Sequence, residues 1–229
     1  MHPLKAPLRP LLLLAPLLLA ACNSVRVAPE GGLPKALVQP LQARVGLVLD
    51  DELRHYKHEE TRSSADWSVD LGPGHEQLLK AVFAASFASV DVFRNVDEAR
   101  AASGLQGVFA PHIEQYSFAS ARETGGIYWA VTIRYRIGVL TPQGEPADSL
   151  TLTGYGSAGD AGRAAPSLVN ATRAAMRDAA AKLLVQMPRQ PVAERLIAGE
   201  TLRAGDSTIV VDPIETVPIE PAAPGQPAG

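Results

Sequence analysis

Ile127-Tyr-Trp-Ala-Val-Thr-Ile-Arg-Tyr-Arg-Ile-Gly-Val-Leu140, the turn Pro142-Gln-Gly144 and the return Ser149-Leu-Thr-Leu-Thr-Gly-Tyr155 decide the fold. Trp129, Val131, Ile133, Tyr135, Ile137 and Val139 fall on one face of an extended chain. Ala130, Thr132, Arg134, Arg136 and Gly138 fall on the other. A period of two over this length predicts a strand with one face in a core. Leu150 and Leu152 continue the apolar side after the turn, so the segment predicts an antiparallel hairpin.

Working outward, residues 166–187 carry Leu168, Thr172, Ala175, Met176, Ala179, Leu183 and Met187 at helical spacing, with Pro166 suited to the first turn and Pro188 as a stop. Residues 75–89 place Leu79, Val82, Phe83, Ser86 and Phe87 on one helical face after the breaker Gly72-Pro73-Gly74. Residues 43–49, 67–71, 90–96 and 107–118 read as further strands, with Pro111 requiring a bulge or an edge in the last. The residues 50–66, dense in charge, read as a loop or a ragged strand extension. The expected architecture is α+β: two helices packed on one face of a mostly antiparallel four- to five-stranded sheet. The expected organisation is a leader over 1–21, a tether over 22–40, the domain over 41–190 and a C-terminal extension over 191–229. That extension ends in a tail with prolines at 213, 218, 221, 224 and 227, and a weak strand is expected over 208–211.

The first residues fix the address. Lys5 and Arg9 precede an apolar run over 10–21, and Leu19-Ala20-Ala21-Cys22 has the form of a bacterial lipobox. The run is short and holds Pro10 and Pro16, so it suits a cleaved leader rather than the ~20 apolar residues of a span. Cys22 is the only cysteine, which permits no internal disulfide and makes it the expected site of lipidation. Losing the leader leaves 19 basic against 24 acidic residues, a charge of −5. With no basic patch, nucleic acid is excluded as an expected partner.

The candidates for chemistry each meet an ordinary alternative. Gly154-Tyr-Gly-Ser-Ala-Gly159 matches G-x-G-x-x-G. It follows the return arm of a hairpin rather than the first strand of a βαβ unit, so it reads as a turn and no nucleotide is expected. His55, His58, Glu59 and Glu60 could ligate a metal but have no evident third ligand, and Asp50-Asp51-Glu52 lacks calcium-loop spacing. No G-x-S-x-G is present, and no cofactor is expected. Arg134 and Arg136 on the wet face, with Trp129, Phe83 and Phe87, are the candidate partner or ligand surface.

Val45-Gly-Leu-Val-Leu-Asp-Asp-Glu-Leu-Arg54, Ile133-Arg-Tyr-Arg-Ile137 and Leu152-Thr-Gly-Tyr-Gly156 resemble a group of uncharacterised proteobacterial outer-membrane lipoproteins. The element order resembles the lipopolysaccharide-assembly lipoprotein and the amino-terminal domain of the Tol-system translocation protein. The resemblance implies lipidation at Cys22. Asn23 in place of an aspartate points, by the enterobacterial sorting rule, to the periplasmic face of the outer membrane. The expectation is a non-enzymatic, lipid-anchored binding or accessory module that engages another envelope protein. The alternative is a small-ligand or lipid carrier, with a cavity between the helix at 75–89 and the sheet lined by Phe83, Phe87 and Trp129. A hydrolase or metal enzyme around His55 and His58 is the third reading.

Overall fold

The computed structural model describes residues 23–26, 38–62 and 65–205. The leader, Cys22, residues 27–37 of the expected tether and the tail from 206, with its expected strand, lie outside the described residues. In chain order the elements are β1 (Asn23–Arg26), β2 (Leu41–Val48), α1 (Asp51–Arg54), β3 (Lys57–Arg62), β4 (Ala65–Asp70) and α2 (Gly72–Ser86). There follow β5 (Phe87–Phe93), α3 (Val96–Ala101), β6 (Gly107–Ala119), β7 (Tyr128–Leu140), β8 (Pro146–Gly159), α4 (Ala164–Gln186), a 3₁₀ turn (Met187–Arg189) and α5 (Pro191–Ile197).

The fold is α+β, with a five-stranded sheet in the order β5-β2-β6-β7-β8. β6, β7 and β8 form the antiparallel meander that the alternation predicts, with Ile133 facing Gly154 and Tyr135 facing Leu152. The sheet is nevertheless mixed, not mostly antiparallel, because β2 pairs in parallel with both β5 and β6. Parallel neighbours are joined by distant crossovers, and nothing in the local pattern of β2 announces them. A second sheet of three strands, β1-β4-β3, is also present. The charged run expected as a loop supplies α1 and β3, and residues 23–26 of the expected tether form a strand. Asp50 caps α1, its carboxylate accepting from the Leu53 N–H at 2.9 Å. The strand read over 67–71 is β4, the central strand of this smaller sheet.

α2 and α4 cover one face of the larger sheet, as expected, and the stripe on α4 from Leu168 to Met187 is buried throughout. The short α3 packs on the other face, where Ala99 and Leu105 close over Val48, Val108 and Ala110. Pro111 in β6 pairs with Ile137 on β7, and β2 follows β6 only as far as Phe109, so the missing N–H of Pro111 breaks no ladder.

The motif at 154–159 has a structural explanation. Gly154 and Gly156 lie within β8, beneath α4. A Cβ on Gly154 would stand 2.2 Å from the Ala175 carbonyl oxygen, and one on Gly156 would stand 2.2 Å from the Ala171 carbonyl oxygen. The expected turn is therefore a seam of glycine against alanine that lets a helix backbone touch a strand backbone. Gly156→Ala is expected to lower stability by about 1–3 kcal/mol or more, as overpacking into backbone leaves nothing to give way. Gly159, with nothing within 4 Å, serves as the neutral control in urea unfolding of Gly159→Ala.

Candidate functional site

Phe83 and Phe87 are core residues: their rings stack at 5.9 Å, and both contact Phe109, at 5.3 and 5.2 Å. Trp129 lies elsewhere, on β7 beneath the smaller sheet, 5.5 Å from Trp67 and 6.1 Å from Phe118. All three are buried, so the structure does not bring them to the surface or to each other. Among the described residues, the space expected between the helix at 75–89 and the sheet is occupied by side chains. Between α2, α4 and the sheet there is a crevice of about 10 Å³ lined by Leu78, Leu79, Val82, Tyr135 and neighbours, room for at most one water.

Arg134 and Arg136 do project to solvent, from the polar face of β7. A bulge in β6 between Ile113 and Gln115 sets Glu114 opposite them. Glu114 accepts from Arg136 Nε and lies 3.1 Å from Arg134 Nε. Two guanidinium groups sharing one carboxylate leave this patch with a net positive charge.

The histidines separate. His55 Nδ1 contacts the Asp51 carbonyl at the end of α1, whereas His58 Nε2 contacts Glu60 Oε2 at 3.1 Å, with its ring against Tyr116. Among the described residues no group of three His, Cys, Asp or Glu stands close enough to hold a metal ion.

One histidine that carried no sequence signal beyond its helix is buried completely. His75, near the start of α2, donates from Nδ1 to the Leu71 carbonyl at 2.8 Å, which leaves Nε2 to accept from the Tyr135 hydroxyl at 2.7 Å. Burial lowers the imidazole from 6.5 to about 4, against the bond to Leu71, and raises the Tyr135 phenol well above its ordinary value. Tyr116 makes a parallel contact with α4, its hydroxyl 2.8 Å from Thr172 Oγ1.

The two edges of the larger sheet differ. At the β8 edge the outward N–H of Tyr155 donates to Asp178 Oδ2 at 2.8 Å, and the outward carbonyl of Thr153 accepts from Lys182 Nζ at 2.9 Å. Burial works against the Asp178 charge, yet the bonds from Lys182 and Tyr155 hold its carboxyl below the usual range. This pair on α4, four residues apart and itself joined at 2.7 Å, closes the edge. At the other edge, the Phe93 carbonyl accepts from Leu49 N–H. Phe93, Asp91 and Ser89 therefore turn their backbone toward β2, and Ala88, Val90 and Val92 turn theirs outward. β5 is the last strand at this edge, and Ala88 and Val92 on it are exposed, Val92 at 41%.

No family model matches the chain, and no curated protein matches it. Among solved structures, it is similar to the crystal structure of a Xanthomonas campestris protein described as DUF330, with 14% identity, 76% of this chain and 93% of that one covered, and a TM-score of 0.41. It is also similar to a minor lipoprotein from Acinetobacter baumannii, with 14% identity, 69% and 96% covered, and a TM-score of 0.35.

The buried imidazole fixes a pH dependence. A neutral ring is favoured in the fold, so its contribution is complete above pH 6.5 and is lost as the pH falls from 6.5 toward 4. The loss approaches about 3 kcal/mol, at ~1.4 kcal/mol per pH unit. Urea midpoints measured across this range are expected to fall more steeply than in His75→Gln, which removes the titrating group.

Proposed function

We propose that the chain is a non-enzymatic, lipid-anchored module on the periplasmic face of the outer membrane. In this reading it engages an extended segment of another envelope protein along the free edge of β5. The observation that carries the reading is the contrast between the two sheet edges: one is closed by a dedicated Asp–Lys pair, and the other offers outward backbone groups at Ala88, Val90 and Val92. An added strand would take its affinity from those main-chain groups and its specificity from alternate side chains. The positive patch at Arg134 and Arg136 lies on the opposite face of the sheet from α2 and α4 and is a secondary contact for carboxylates.

The anchor rests on the lipobox. No helix among the described residues is long and apolar enough to cross a membrane.

Metabolic labelling with an alkynyl palmitate is expected to mark the mature protein and to be abolished by Cys22→Ser. A photo-crosslinking residue at position 92 is expected to trap one envelope protein in cells. Val92→Pro removes an outward N–H without touching the ladder to β2, and it is expected to weaken that partner's co-purification while leaving secretion intact. Recovery of nothing above background at position 92, or undiminished recovery with Val92→Pro, would refute the edge-binding reading.

A further inference from the structure

We infer that the end of the domain formed by the β6–β7 hairpin tip rests directly against the lipid surface, so that the protein sits on the membrane in one orientation rather than swinging from a tether. This rests on lipidation of Cys22, and the experiment below separates the two.

β1 begins at Asn23, one residue after the anchor, and pairs in parallel with β4, from Asn23 opposite Trp67 to Arg26 opposite Asp70. Asn23, the residue that follows the lipidation site in the sequence, is thus already part of the paired framework, one peptide step (~3.8 Å) along the chain from that site. Of the tether expected over 22–40, residues 23–26 are strand, so the expected slack is missing from the part that directly follows the lipidation site.

The register identifies which end of the molecule this is. β1 starts where β4 starts, and Trp67 lies 5.3 Å from Phe118 and 5.5 Å from Trp129, near the far ends of β6 and β7. Arg62, at the end of β3, ties the two hairpins together: it donates to the Phe118 carbonyl at 2.7 Å and pairs with Glu123 at 3.0 Å. Asn23, at the start of β1, and the tip at residues 120–127 therefore occupy the same end.

That tip is built for an interface between lipid and water. Ile127 is 70% exposed, the most exposed large hydrophobic residue among those described, and Tyr128 beside it is 41% exposed. Arg122 and Arg163 are exposed nearby, whereas the carboxylate of Glu123 is engaged by Ser120 and Arg62. Asp160 is also exposed at this end, its carboxylate accepting from the Gly162 N–H at 3.2 Å. The tip is held in place: Asp160 N–H donates to the Ile127 carbonyl at 3.1 Å, and Thr124 Oγ1 donates to the Tyr128 carbonyl. Isolated exposed hydrophobics are ordinary. Here an aliphatic and an aromatic side chain, with exposed arginines nearby, stand at the same end as Asn23, the residue that follows the lipidation site in the sequence. Apolar and aromatic groups at headgroup depth with cations facing anionic lipid is the composition such a boundary favours. Because the lipid already holds the domain at the surface, the tip meets the bilayer at high effective concentration.

The test uses the full mature lipoprotein, whose only native thiol is consumed by lipid. Single cysteines are placed by Ile127→Cys at the tip and by Ile197→Cys on α5, which lies at the other end beside Gln106. Each is labelled with an environment-sensitive fluorophore and reconstituted in phosphatidylethanolamine/phosphatidylglycerol vesicles carrying a spin-labelled lipid quencher. Unfolding midpoints matching the unlabelled protein confirm both folds. The expected result is a blue shift and loss of fluorescence at 127, with neither at 197. Palmitate labelling of the protein with equal, weak quenching at both sites would overturn this inference and leave the anchor standing. A blue shift at 127 without quenching would overturn it in favour of a second protein copy covering the tip. Absence of palmitate would overturn the anchor and this inference together.

Discussion

The contact on which most of the structure depends is the approach of α4 to β8, backbone to backbone, where Gly154 and Gly156 meet Ala171, Ala175 and Ala179. Glycine in a strand interior forgoes side-chain packing and adds entropy to the unfolded chain. What it secures here is reach. With the helix this close, Asp178 and Lys182 extend past β8 and bond its outward N–H and C=O, and Thr172 meets the Tyr116 hydroxyl across the sheet. One small-residue seam thus sets the depth of the core and closes a sheet edge.

The same seam shows why part of the fold was legible in the sequence and part was not. β7 lies in the middle of the meander with one buried and one wet face, so its alternation is complete and its reading direct. α4 likewise buries one continuous stripe. The end of β8 was obscured because its packing partner demands glycine, and glycine read in sequence signals a turn. β3 was obscured because Lys57-His-Glu-Glu-Thr-Arg62 is charged along both faces: its strand state comes from pairing with β4 and from Arg62 reaching Glu123, contacts distant in sequence. β2 was found as a strand, but its parallel pairing is a property of the crossovers on either side.

The candidate site divides along the same line. Arg134 and Arg136 were legible as exposed, since they sit on the polar side of a clear alternation; Glu114 between them was not, because a bulge changes the face of one residue without changing the pattern. Phe83, Phe87 and Trp129 were legible as apolar but not as buried apart from one another. Trp129 keeps its indole N–H buried with no acceptor among the described residues, at a desolvation cost, while its ring tilts against Trp67 and stacks on Phe118.

The inferred orientation and the proposed binding edge bear on each other. β5 lies level with the lower half of the sheet, since Val92 pairs with Leu47 and Leu47 with Phe109. From Phe109 to the tip, β6 runs about ten residues further, ~33 Å at the usual rise of a strand. In the inferred orientation, with the tip on lipid, the β5 edge therefore stands well clear of the headgroups. There an extended segment from another protein can lie along it without meeting the bilayer. β8, where Tyr155 and Thr153 are bonded by α4, is the opposite edge of the larger sheet, so within that sheet the proposed strand-binding edge is β5 alone.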